Sequence, residues 1–144
     1  MPTIRFAVHG EPPPKKDGAK SMWDKPLEAR RLLALRRAAV AAMGGQPPLS
    51  RAISLTLSIY VPGHRVACIG DLDTFITGVC DGLQAAHPRA DLDQLWLDPA
   101  LLTDVHPSRI VAILNDSEIV SIAARKIAQD ASDAWYEIVL EGEA

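Results

Sequence analysis

Five short polar residues carry most of the chemistry open to this chain. The segment GDLDTFITGVCDGL, residues 70–83, sets Asp71 and Asp73 two positions apart, with Asp81 eight positions further on. Asn115 and Asp116 follow in NDSEIV, residues 115–120. If Asp71 and Asp73 stay extended at a strand end, their side chains leave one face, because extended residues alternate. Two such carboxylates reach one divalent cation, or one each of two neighbouring cations. Mg²⁺ takes oxygen ligands in near-octahedral geometry and keeps several waters. Two ions about 3.5–4 Å apart stabilise both the attacking and the leaving oxygen of a phosphodiester. The competing reading is structural. Asp-x-Asp is common, a second copy stands at Asp91–Asp93, and short acids also serve as turn residues and helix caps. Zinc on His64, Cys68 and Cys80 has a spacing that fits no standard site.

The elements that must position these residues follow from periodicity. Residues 3–9, TIRFAVH, alternate as a half-buried strand. Prolines, glycines and lysines in GEPPPKKDGAKS make a loop. Asp24 is the expected cap of a helix beginning near Pro26 and stopped at Gly44 or Gly45. Its expected buried face is Leu27, Leu35, Ala38 and Ala42. The clearest strand is ISLTLSIYV, residues 53–61, with Ile53, Leu55, Leu57, Ile59 and Val61 on one face. Thr74 is the expected cap of a second helix running to about Ala86, with Phe75, Val79 and Leu83 on one side. Residues 87–109 read as short helical turns in an excursion. IVAIL at 110–114 reads as a strand, the run from Asn115 as another, and AWYEIVLEG as the last. The order predicts a small single α+β domain, a mixed β-sheet flanked by two main helices.

Composition narrows the class. The chain has 144 residues, 48% of them hydrophobic, which suits one domain with a real core. No apolar run is long enough to span a bilayer. The start, MPTIRFAVHG, lacks a basic stretch followed by an apolar one, which predicts no secretory signal. Two cysteines without a CxxC pair point to a reducing interior. Net charge is −3, but residues 1–66 hold 11 Lys/Arg and 4 Asp/Glu, a net of +7. Residues 67–144 hold 4 and 14, a net of −10. Such asymmetry fits a basic face for an anion beside an acidic site for cations.

Taken in order, FAVHGEPPPKK, SLTLSIYVPG, GDLDTFITGVCDGL, NDSEIVSIAARK and WYEIVLE resemble the RusA-like Holliday junction resolvases, also called crossover junction endodeoxyribonucleases. The resemblance covers most of the chain except residues 84–114, which stand as an insertion. It implies metal-binding and catalytic acids at Asp71, Asp73 and Asp116, with Asp81, Asn115 and Lys126 as accessory positions. It further implies Mg²⁺ dependence (Mn²⁺ as a substitute), a homodimer with two active sites, branched DNA as substrate, and a cytoplasmic enzyme of bacterial or prophage origin. A two-fold protein meets a nearly two-fold junction, so each site faces one of two equivalent strands. Lys15, Lys16, Lys20, Arg30, Arg31, Arg37 and Arg65 are the expected phosphate contacts, and make binding salt-dependent.

The chain departs from the family's pattern at specific positions. Thr74 stands where the family has Asn, and Thr77 where it has a catalytic Lys. Asn115 replaces the first acid of an Asp-Asp pair. Asp91, Asp93, Asp98 and Asp104 of the insertion would repel a phosphate backbone lying near them. The leading expectation is therefore a Mg²⁺-dependent, structure-selective endodeoxyribonuclease resolving four-way junctions. The alternative is a catalytically weak or inactive relative that binds branched DNA or a protein partner. The structural reading is an α+β interaction module whose acids are caps and surface charges.

Overall fold

The computed structural model describes residues 2–14, 22–101 and 103–144. In chain order these form β1 (Thr3–His9), α1 (Pro26–Met43), β2 (Arg51–Pro62), α2 (Leu72–Gly82), β3 (Ile119–Gln129) and β4 (Trp135–Glu143). Single 3-10 turns lie at Gly63–Arg65, Gln94–Leu97, Pro99–Leu101 and Asp116–Glu118. The sheet order is β1-β4-β2-β3. β4 runs antiparallel to β1 and to β2, whereas β2 and β3 are parallel, so the sheet is mixed. This is the α+β fold that the periodicity predicts.

The alternation of β2 explains its central place. Ile53, Leu55, Leu57, Ile59 and Val61 are at most 1% exposed. They lie level with Leu140, Ile138 and Tyr136 of β4, and Ile4, Phe6 and Val8 of β1 complete that face. The apolar sides of α1 and α2 pack against it. Ser54, Thr56, Ser58 and Tyr60 look the other way, onto a face that no helix of the described residues covers.

Three local expectations are corrected. Helix α1 is capped at Lys25, not Asp24, and no side chain bonds its first turn; Pro26 needs no donor there. Leu35 is buried as expected and Ala38 and Ala42 pack against the same core, but Leu27 is 49% exposed, and the buried side extends to Ala29, Leu32, Leu33, Arg36, Ala39 and Met43. The cause is that α1 has two partners. One flank meets the sheet, and the other meets residues of the insertion, where Met22, Trp23, Leu32, Leu33, Trp96, Leu101 and Val105 form a second core. Residues 110–114 are not a strand. The N–H groups of Val111, Ala112 and Ile113 all point to the Leu83 carbonyl, leaving only a single bridge between Leu49 and Ile113.

Arg36 joins these parts. It is fully buried, and its five N–H donors meet five different carbonyls at 2.6–2.8 Å: Val105, Gly82, Gln84, His106 and Arg109. Its guanidinium carbon also lies 5.2 Å from the centre of the Trp23 ring. Burial lowers its pKa to about 10, so it keeps its charge at neutral pH. The positive charge sits against the last carbonyls of α2, the negative end of that helix. Among the described residues, no helix is long and apolar enough to cross a membrane.

Arg36→Met strands these carbonyls in a dry interior. Urea unfolding should show a loss of at least about 3 kcal/mol. Arg36→Lys should recover little of it, because an ammonium cannot reproduce the planar five-donor fork. A loss under about 1 kcal/mol would contradict this role.

Candidate acidic site on helix α2

Asp71 stands at the N-cap of α2 with extended backbone, φ −90° and ψ 143°, yet its side chain makes no capping hydrogen bond. An N-cap Asp ordinarily accepts from a first-turn N–H, which is why the type is favoured there. Here the carboxylate is exposed and caps nothing among the described residues. Gly70 before it has φ +142°, and a Cβ would lie 2.8 Å from the Phe75 ring, so only glycine fits that turn. Asp73 lies in the first helical turn, not in extended chain. The expected shared strand face for Asp71 and Asp73 therefore does not form, because positions two apart on a helix do not face each other. Thr74, expected as the cap, is already inside the helix. The helix ends at Gly82 rather than near Ala86, where Arg36 takes up the Gly82 and Gln84 carbonyls.

Asp73, Thr77 and Asp81 follow at four-residue steps and make one stripe along α2. Thr77 Oγ1 donates to the Asp73 carbonyl at 3.0 Å. Asp81 is half-buried, and its pKa is raised by burial and then by the charge of Asp116. Burial, then Asp116 and Asp81, push the Cys80 thiol up to about 12, which keeps it inert. The Asp116 N–H also donates to Gln84 Oε1 at 3.3 Å. Asp116 thus joins Asp81 at the C-terminal end of α2, about 12 Å along the axis from Asp73 at 1.5 Å per residue.

Lys126 sits at the opposite end. Its Nζ donates to the Val66 carbonyl at 2.8 Å, in the connection that leads to Asp71. Asn115 caps the Asp116–Glu118 turn, with Oδ1 accepting from the Ser117 N–H at 3.0 Å. In the insertion, Asp93 and Asp98 accept from the N–H groups of Leu95 and Ala100, so both are turn caps. Arg30 and Arg37 are exposed on α1. Arg31 and Arg65 both reach Glu11. Lys15, Lys16 and Lys20 lie outside the described residues. A groove of about 440 Å³ beside Asp81 is lined by Met22, Trp23, Gln84, His87 and Arg89 among others.

Hard carboxylate oxygens are the donors Mg²⁺ and Mn²⁺ prefer, and Mg²⁺ often takes only one or two of them, with waters filling the rest. The donor set of α2 fits in that sense. Asp71 and Asp73 lie at one end and Asp81 and Asp116 at the other. Among the described residues, no three His, Cys, Asp or Glu side chains gather as a metal-holding group. Sequence reasoning missed Glu11, Gln84 and Arg36. Arg36 stood in a run of arginines that reads as a solvated face. No protein-family model matches the chain, and no curated protein does.

The Asp81 pKa shift has a definite sign. A carboxyl whose folded pKa lies above its unfolded value favours folding less once ionised, so stability should fall as pH rises through that titration. Asp81→Asn should remove this fall. NMR titration in metal-free buffer should show the Asp81 pKa moving down in Asp116→Asn, while burial keeps it above the usual carboxylate range. An unchanged Asp81 pKa would mean that the two acids do not interact.

Proposed function

We propose that the chain is a metal-dependent, structure-selective endodeoxyribonuclease that hydrolyses phosphodiesters at four-way DNA junctions. The observation that carries this reading is Asp71. It occupies a capping position without capping, at the start of a helix whose acidic stripe runs from Asp73 to Asp81, beside Asp116. An acid there that caps nothing is easier to explain as a ligand than as a structural device. Asp71 and Asp73 at one end of α2, and Asp81 with Asp116 at the other, would be the carboxylates offered to Mg²⁺, and a bound ion would supply a water of lowered pKa and neutralise phosphate charge. Arg30 and Arg37, exposed on α1, and Arg31 and Arg65, which meet at Glu11, are suited to holding flanking phosphates.

A homodimer belongs to this reading, and edge strand β3 supports it. Its outer side has no neighbouring strand among the described residues. Val120 and Ile122 are 71% and 51% exposed, an unguarded apolar edge of the kind that invites pairing. Antiparallel pairing about Ile122 would set Val120 opposite Ala124, and Glu118 opposite Lys126 of the partner subunit. Light scattering should therefore find a dimer in the wild type and a monomer in Ile122→Asp. A monomeric wild type would remove the dimer from the proposal.

A second reading has its own observation. Thr77 lies midway between Asp73 and Asp81, where a lysine would offset charge at the scissile phosphate and a hydroxyl does not. The chain would then bind junctions without nicking them. A labelled synthetic junction with Mg²⁺ or Mn²⁺ separates the two. Cleavage should be lost by at least about 100-fold in Asp73→Asn and increased in Thr77→Lys. Binding without cleavage in the wild type and in Thr77→Lys would leave only the second reading.

A further inference from the structure

Three elements bring Glu11, Arg31 and Arg65 together. Glu11 follows β1, Arg31 lies on α1, and Arg65 lies in the turn after β2. Both guanidinium groups reach the same oxygen of Glu11, Oε2, at 3.5 Å from Arg31 and 3.4 Å from Arg65. Well-made charged N–H···O bonds are about 2.7–2.9 Å, and arginine engages an oxyanion best through two parallel bonds. One carboxylate oxygen shared by two forks at longer range leaves both under-used. A tetrahedral phosphate offers enough oxygens to engage both.

The surroundings favour an incoming anion. A groove of about 270 Å³ opens beside Glu11 and Arg65, with His9, Ser132 and Asp133 on its walls. Glu11 and Asp133 set two carboxylates against Arg65 on the groove wall and Arg31, which touches the groove through Glu11; once Glu11 swings out, two arginines and one carboxylate remain. The hydroxyl of Tyr136 is buried close enough to feel the charge of Arg31, and has no hydrogen-bond partner among the described residues. Arg65 also stands at the start of the connection to Asp71, its carbonyl accepting from the N–H groups of Cys68 and Ile69.

We propose that Arg31 and Arg65 form a phosphate-binding site that Glu11 occupies in the free protein, and that a backbone phosphate of DNA displaces the Glu11 carboxylate. The choice of DNA rests on the nuclease reading; the phosphate site itself does not. Glu11 then acts as a gate. It lowers affinity for isolated phosphate groups and yields to a strand already held elsewhere.

The test compares Glu11→Gln with Glu143→Gln, which removes the same charge from the pair with Arg51 at the far end of the sheet. Fluorescence anisotropy with a labelled four-way junction at low salt should show Glu11→Gln binding about threefold tighter, the scale of one surface ion pair. Glu143→Gln should bind like the wild type, and adding Arg65→Gln to Glu11→Gln should abolish the gain. Equal gains in Glu11→Gln and Glu143→Gln, or a gain that survives Arg65→Gln, would overturn the gate. If no variant binds DNA, the nuclease reading fails and orthophosphate decides the site. Titration should move the Arg31 and Arg65 Nε–Hε signals saturably in Glu11→Gln and more weakly in the wild type. No such movement would overturn the site.

Discussion

One buried cation fixes where everything else stands. Arg36 carries its charge into a dry interior, where a lone ion is strongly disfavoured, and is compensated by five carbonyls rather than a carboxylate. Those carbonyls come from the end of α2 and from the connection that returns to β3. A guanidinium has five donors in one plane, so its partners have little freedom to move. The end of α2, residues 105–109 and the middle of α1 are thereby held in one register.

That register sets the geometry of the acids. With its C-terminal end tied to Arg36, α2 lies between the chain entering β3 and the chain leaving β2. Asp116 enters β3 beside Asp81, and Lys126 leaves it beside the connection to Asp71. Gly78 tightens the arrangement from above: a Cβ there would sit 1.8 Å from the Pro13 carbonyl, so the segment after β1 crosses directly over the helix. Asp73 and Asp81 are spread along one helix face, with Thr77 between them where opposite charge would be most useful.

The sheet was legible in the sequence because apolar residues recur at every second position of β2 from Ile53 to Val61 and β4 alternates throughout, giving one apolar face. The buried side of α1 was not, because a helix with partners on two flanks loses the single stripe that periodicity detects. Residues 110–114 looked like a strand for their composition, but an apolar run has no signature separating a ladder from a buried loop. At the site, spacing identified the acids but not their grouping. Whether Asp73 pairs with Asp71 or points along the stripe to Asp81 depends on where the helix begins, and a shift of its cap from Thr74 to Asp71 changes the answer. Arg36 was invisible because nothing local marks one arginine in RLLALRR as buried.

What matters most is whether the acids of α2 and Asp116 bind a divalent ion. Titrating Mn²⁺ into ¹⁵N-labelled protein tests it most directly, since the paramagnetic ion broadens amides near it. Saturable broadening of residues 71–77 together with 115–118, reversed by excess Mg²⁺ and lost in Asp73→Asn, is the predicted result. Broadening that does not saturate, or that persists unchanged in Asp73→Asn, would contradict metal binding by these acids.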